Sequence, residues 1–527
     1  MPAALRLHPS LALKIALFAT GLSGIVAEYI LSTLATYFLG NSVLQWTMIL
    51  SVMLFSMGLG SRFSQFLDKH LLEKFLLIEF LLSILVSFCV LIAYAATAYK
   101  SFNYRLFVFA FDYAGVVIYL LSTLIGLLIG MEIPLVTRLN EAYEDLRVNI
   151  SHVMEKDYYG SLVGGVFFAF VGLPLLGLTY TPFILGSINL GVALALMYVL
   201  RGMIAAHWQR PIRLLGGATA LLLLGGLIFA DDVVQYGEQS RYLDRVVFQQ
   251  QTPYQKIVLT RYKADHWLYL NGHLQLSTFD EYLYHEPMVH SAMGLHRHPQ
   301  RVLILGGGDG CALREVLQYA AVEEVVLVDL DPAMTVLGSQ HPVFREMNRN
   351  AFDDPRLVVR NEDGFNYLAD TPDFFDVILI DFPDPKTIDL NRLYTLEFYR
   401  FCYRHLRPGG ILITQAGSPY YAPRAFAAID TTLQTAGFQT LPLHNQVMTM
   451  GEWGWILANK EMPRDTLKAR LRQLPLQDLS LRWLNAEALY LITSFGKNWR
   501  PVPDPEINTL HNQVIYRYYK EGDWYVY

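Results

Sequence analysis

Apolar residues are distributed unevenly along this chain. Before residue 231 they form long runs, at about 11–38, 44–60, 75–95, 107–135, 160–178, 183–200 and 214–230. A helix that crosses a bilayer needs about 20 such residues. The pattern therefore predicts about seven spans, of which the second, sixth and seventh are short. After Ala230 the runs shorten and begin to alternate. The segments 254–262 (YQKIVLTRY) and 266–276 (HWLYLNGHLQL) read as strands of a small β-rich subdomain over 231–300. From residue 301 to 460, buried strands (RVLILGGG, EVVLVDLD, RLVVRNEDG, FDVILIDFPDP, GGILITQAG) alternate with helices. That alternation predicts a doubly wound, parallel, Rossmann-like sheet of the methyltransferase type. Residues 461–527 form a C-terminal extension rich in Trp and Tyr, fitted to pack on the preceding domain or touch a membrane interface.

Charge adds an orientation. Lys and Arg cluster before the first span, between the second and third, after the fourth and after the sixth. Positive residues mark the inner side, so the N-terminus is expected inside a multi-pass cell-membrane protein. Seven spans would then export the soluble half. Four acids, Glu28, Glu79, Asp112 and Glu132, sit in or beside the runs. Intramembrane acids are functional candidates, although snorkelling or pairing with Arg138 is the plainer role. The runs 56–61 (SMGLGS) and 160–165 (GSLVGG) suit close helix packing.

Composition agrees with a chain that is half membrane and half soluble. Hydrophobic residues reach 53% and charged residues 17%, against about 25% charge in soluble domains. The net charge of −6 and the lack of a basic tract disfavour nucleic acid as a partner. The three cysteines, Cys89, Cys311 and Cys402, are far apart and show no metal spacing. Self-association is compatible with the sequence.

Candidate chemistry gathers at the carboxyl ends of the later strands, where doubly wound sheets bind ligands. Gly306-Gly307-Gly308-Asp309-Gly310 follows a strand and opens a helix, with GxGxG spacing. Asp329 ends the next strand, placed to accept ribose hydroxyls. Together they suggest a nucleoside. The structural alternatives are a bare turn for the glycines and a helix cap for Asp329. Asp309 would repel the carboxylate of S-adenosylmethionine but attract an ammonium, as in its decarboxylated form. Asp381 and Asp384 flank Pro383 just past a strand end. Two such acids can hold an ammonium and take a proton from an attacking amine, which must be neutral to be a nucleophile. Their alternative is a turn that caps the next helix.

From about Tyr254 to Lys460 these residues resemble the spermidine synthase family of polyamine aminopropyltransferases. The resemblance is carried by YLNGHLQLSTFDEYLYHEPMVH, VLILGGGDGCALREVL, DDPRLVVRNEDGFNYL, FDVILIDFPDP and LYTLEFY. The apolar front end resembles membrane-bound members of that family. The resemblance implies transfer of an aminopropyl group from decarboxylated S-adenosylmethionine to a polyamine, putrescine to spermidine first of all, without a metal. It implies that Gln255 contacts the adenosyl group, Asp329 the ribose, and Asp363 and Gly364 the adenine. His285 and Asp309, with Tyr284 and Gln275 beside them, would contact the aminopropyl or polyamine chain. Asp381 would be the proton acceptor, and Asp384 would bind the substrate amine. His285 could instead be a packed core histidine. Two departures touch the acceptor side: Lys386-Thr387-Ile388 follows the Asp-Pro turn, and Met448 stands where the family has a tyrosine. The competing functions are an S-adenosylmethionine methyltransferase, which Asp309 disfavours, and a non-catalytic polyamine-binding membrane protein, which intact Asp309, Asp363 and Asp381 disfavour.

Overall fold

The computed structural model describes residues 8–40, 42–103, 113–497 and 502–522. It divides into two compact units, Met1–Val246 and Val247–Tyr527.

The first unit is helical: α1 (Pro9–Leu39), α2 (Ser42–Phe63), α3 (Leu71–Asn103), α4 (Tyr113–Asn140), α5 (Leu146–Phe167), α6 (Gly177–Val199) and α7 (Ala206–Gln239). Among the described residues, six helical stretches are long and apolar enough to cross a membrane. The sequence pattern separates the fifth and sixth, whereas Leu146–Val199 forms one stretch. Its halves are joined by π-helical turns over Phe168–Leu176, which contain Pro174. Proline lacks the amide that a regular helix needs. Gly177 then breaks the path with φ +66°. Helix α7 continues to Gln239, past the boundary expected at residue 230. The start of the fourth expected span, with Arg105 and Asp112, lies outside the described residues.

Both small-residue runs serve packing. A Cβ on Gly60 would lie 2.0 Å from the Leu127 carbonyl oxygen, and one on Gly130 2.0 Å from that of Met57. Helices α2 and α4 thus meet backbone to backbone. Gly160 and Gly164 do the same for α5 against Phe18 and Leu22 of α1. The acids are less conventional. Glu28, Glu79 and Glu132 are buried, and both carboxylate oxygens of Glu132 lack a hydrogen-bond partner among the described residues. Arg138 is not their partner; its guanidinium donates to the carbonyls of Ser64 and Leu67, at 2.7 and 3.1 Å.

The second unit contains two sheets. The smaller is an antiparallel meander of β1 (Arg245–Gln251), β2 (Lys256–Tyr262), β3 (Asp265–Leu270) and β4 (His273–Ser277). Asn271 and Gly272 both take positive φ between β3 and β4, the signature of a tight hairpin turn. The single run expected at 266–276 is therefore two strands. Helix α8 (Tyr282–Met293) follows, almost wholly buried.

The larger sheet contains β5 (Arg301–Gly306), β6 (Glu324–Val328), β7 (Leu357–Arg360), β8 (Phe375–Asp381), β9 (Leu406–Gly417), β10 (Gln439–Val447) and β11 (Gly451–Asn459). Their order is β10-β11-β9-β8-β5-β6-β7. The five strands from β9 to β7 are parallel, as the alternation predicts. Strand β11 breaks the pattern: it runs antiparallel to β9, and β10 and β11 pair as an antiparallel hairpin. Only three residues separate them, too few for the crossover a parallel pair requires. Apolar side chains cover both faces, including Val302, Ile304, Val377 and Leu379 on one and Leu303, Leu305, Ile378 and Ile380 on the other. That two-sided burial is why these strands read as continuous apolar runs.

Candidate active site

The strand order lines up four sequence-predicted positions. Across the sheet, Asp381 ends β8, Gly306 ends β5, Asp329 follows β6 and Asp363 follows β7. The chain runs β5, β6, β7 in one direction and returns to place β8 on the other side of β5. The crevice beside that reversal is the usual ligand site of doubly wound sheets.

Gly306 is paired in register with Asp381. Its φ is +84°, and a Cβ there would sit 2.2 Å from the Asp381 carbonyl oxygen, so only glycine fits. Gly310 also has φ +84°, and a Cβ would strike Asn348 and the Phe352 ring. Between them, the Gly308 amide donates to Asp329 Oδ2 at 3.0 Å, while Asp329 Oδ1 accepts from the Asp331 amide at 3.0 Å. Asp329 thus fastens the glycine turn. The cap of the next helix is Asp331, through the Ala333 amide. Burial lifts the Asp329 carboxyl to about 6, against the two amides that favour its anion. Gln255 donates to Asp331 Oδ2 at 3.0 Å, which places it beside this turn.

Asp363 is committed on both oxygens. Oδ1 caps the helix Gly364–Asp370 through the amides of Phe365 and Asn366, and Oδ2 is ion-paired with Arg392. A Cβ on Gly364 would lie 3.0 Å from the Phe382 ring, so a flat aromatic surface borders this end of the crevice. Sequence reasoning missed Arg392 and Phe382. The signal for Phe382 was its position directly after Asp381.

A cluster of ionisable groups surrounds Asp381. Tyr284 Oη donates to Asp381 Oδ1 at 2.7 Å, and His285 Nε2 stands 3.8 Å from Oδ2. Ligand atoms of His285, Asp309 and Asp381 all lie within 4.8 Å of one another. Asp309 is held by its own turn, Oδ1 accepting from the Cys311 amide at 2.8 Å. His285 is a buried histidine with a task. Its Nδ1 lies 2.9 Å from Glu281 Oε2, and Glu281 takes both guanidinium nitrogens of Arg314 at 2.9 and 3.0 Å. Burial would discharge the imidazole, but Glu281, Asp309 and Asp381 outweigh it and raise His285 to about 9. Burial likewise opposes the Glu281 charge, yet His285 and Arg314 hold its carboxyl down at about 2. Burial raises Asp381 to about 6; Asp309 pushes it further up, and the His285 cation and Tyr284 hydroxyl restrain it. Neither Glu281 nor Arg314 was singled out in the sequence.

Two clusters have enough donors to suggest a metal, Glu281–His285–Cys311 and His285–Asp309–Asp381. Their chemistry does not suit one. Glu281 is saturated by Arg314 and His285, burial pushes the Cys311 thiol well up, and His285 is cationic. A cysteine or histidine binds a metal as thiolate or neutral imidazole, the forms these surroundings disfavour.

Asp384 lies apart from the Asp381 cluster's hydrogen bonds. Its Oδ2 accepts from Tyr519 Oη at 2.5 Å and stands 3.2 Å from Lys386 Nζ. It does not cap the following helix, Ile388–Asn391, because Thr387 does so through the Leu390 amide. Tyr519 belongs to the helix Val514–Lys520, so the C-terminal extension packs on the catalytic unit. Met448 is more than half exposed. Gln275, on β4, spends its amide on the carbonyls of His273 and Leu274. Among the described residues no hydrogen bond joins Gln275 to the carboxylates.

This geometry has counterparts. Residues 281–468 match the family model described as the spermine/spermidine synthase domain. Polyamine aminopropyltransferase 2 of Aquifex aeolicus is 43% identical over 513 residues, 97% of this chain and 99% of the relative. The polyamine aminopropyltransferase of Leptospira interrogans is 38% identical over 97% of this chain and 98% of the relative. The chain belongs to the polyamine aminopropyltransferase family. The kinship extends over the helical unit as well, since the aligned stretch covers nearly the whole chain. A crystal structure of spermidine synthase with the transition-state analogue AdoDATO is 28% identical, covering 48% of this chain and 86% of that chain, with a TM-score of 0.44.

Proposed function

We propose that this chain transfers the aminopropyl group of decarboxylated S-adenosylmethionine to a polyamine, with putrescine as the first acceptor to test. The observation that carries the reading is Asp381, held at a strand end by Tyr284 and His285, with Asp309 in the same cluster. In the step itself, the acceptor nitrogen attacks the propyl carbon next to the sulfonium. A C–N bond forms, and the C–S bond breaks with its electron pair moving to sulfur. Sulfur leaves as the neutral thioether methylthioadenosine. The proton lost by the new secondary ammonium goes to Asp381. A carboxyl that ionises near 6 is the anion at neutral pH, yet more basic than an ordinary aspartate. Alignment of the two reactants supplies much of the acceleration.

Asp309 gives the donor its identity. Its carboxylate suits the terminal ammonium of the decarboxylated donor and repels the carboxylate of S-adenosylmethionine. The test offers the purified protein each donor with putrescine and follows methylthioadenosine release. Release from the decarboxylated donor alone supports the reading; methyl transfer from S-adenosylmethionine overturns it.

We further place the chain in the cell membrane as a multi-pass protein, supported by its long apolar helices. The donor is expected in the cytoplasm, so we infer that the catalytic unit faces it, which an even number of spans allows and seven do not. A reporter fused after residue 527 checks this, and activity only outside the cell refutes it.

A further inference from the structure

Asp384 already has a cation. Lys386 Nζ stands 3.2 Å from its Oδ2, beside the Tyr519 hydroxyl that donates to the same oxygen. The ammonium also faces the Tyr519 ring, 5.7 Å from its centroid. The other carboxylate oxygen, Oδ1, is buried with no hydrogen-bond partner among the described residues. Asp384 is 8% exposed and Tyr519 3%. Lys386 is the most exposed member, with its side chain 30% exposed, and its flexible stem allows it to swing out.

We propose that Lys386 determines acceptor specificity by acting as a resident ammonium on Asp384. This rests on the aminopropyltransferase reading of the site. The nitrogen that attacks at Asp381 must be neutral, so the ammonium at the far end of a diamine is the group that seeks Asp384. It then meets a carboxylate whose charge Lys386 has neutralised. To bind, it must displace Lys386 or settle for the bare Oδ1 while facing a like charge. An acceptor without a second ammonium incurs neither cost. Lys386 therefore weakens diamines selectively, and Tyr519 fixes the carboxylate rotamer that both cations contest.

The test compares full-length wild type, Lys386→Met, Lys386→Arg and Asp384→Asn, with putrescine and butylamine as acceptors at saturating donor. Lys386→Met should raise kcat/KM for putrescine at least about tenfold, a gain of about 1.4 kcal/mol. The gain should be in KM, leaving kcat, the donor KM and butylamine turnover unchanged. Lys386→Arg, which keeps the charge, should behave as wild type. Asp384→Asn should raise the putrescine KM and abolish the effect of a second Lys386→Met change. An unchanged putrescine KM in Lys386→Met overturns the proposal while leaving the transferase reading intact. An equal gain for butylamine also overturns it, because the effect would then be general loosening of the loop. If Asp384→Asn leaves putrescine untouched, Asp384 is not the ammonium site and the proposal fails at its base.

Discussion

Tyr284 and Asp381 are 97 positions apart, yet the tyrosine hydroxyl donates to the aspartate at 2.7 Å. One comes from α8 and the other from the end of β8. The hydrogen bond therefore ties the buried helix to the central strand and turns one carboxylate oxygen toward a fixed donor. The other oxygen faces His285 and, on the proposed mechanism, takes the proton. Asp381→Asn keeps the shape and removes the base. Turnover should fall by about 100- to 10,000-fold, while methylthioadenosine binding, measured by calorimetry, should be retained.

The ionisation of Asp381 sets a pH limb. Only the anion can accept a proton, so kcat/KM should rise with pH through about 6. The His285 cation lowers that value and Asp309 raises it. His285→Gln should therefore move the limb to higher pH, and Asp309→Asn should move it lower. A merely structural role for either residue predicts lost activity with an unmoved midpoint. Rate profiles between pH 5 and 8 decide the question, because that range brackets the limb near 6.

Donor choice should also follow Asp309. Replacing its charge in Asp309→Asn should narrow the preference for the decarboxylated donor over S-adenosylmethionine by about tenfold or more, about 1.4 kcal/mol. Competition between the two nucleosides in a binding assay measures it directly.

Glu281 and Arg314 form a bidentate pair in which neither side chain is more than 7% exposed. Removing Glu281 leaves the buried Arg314 with Glu315 as its remaining carboxylate and takes away the Nδ1 partner of His285, so Glu281→Gln should destabilise the catalytic unit by about 3 kcal/mol. The sign with pH is fixed by the depressed Glu281 value. Its stabilisation is present above about 4.5, is lost as pH falls toward about 2, and should vanish in the variant. Denaturant titration of the detergent-solubilised protein provides the measurement.

In the helical unit, paired glycine changes separate packing from propensity. Gly130→Ala puts a methyl against the Met57 carbonyl at 2.0 Å and should part α2 from α4. Gly58→Ala, with nothing within 4 Å of the new Cβ, should be neutral or slightly stabilising. Thermal unfolding in detergent should rank them in that order.

What could be read from the sequence was whatever is local. The strand-end acids Asp329 and Asp381 and the glycine turn were visible because a parallel sheet puts its ligands where each apolar run stops. Chemistry that depends on distant partners was not visible. Glu281 and Arg314 were not singled out, since their pairing spans 33 positions and needs α8 to be buried. Tyr519 lies 135 positions from Asp384, inside a segment whose aromatics fitted a membrane interface equally well. Hydropathy divided Leu146–Val199 at the right place, since Gly177 leaves the helical path there, but it did not register the π-helical turns that carry the chain through Pro174.

Tyr519 is also made late in synthesis. Every other residue singled out in the crevice precedes it in the chain, and the ribosome makes it after all of them. A nascent protein can therefore fold its sheet and close its glycine turn while Asp384 still lacks its phenol. The amine end of the crevice is finished only when the helix Val514–Lys520 docks. On the proposed roles, the acceptor side of the site is completed after the donor side.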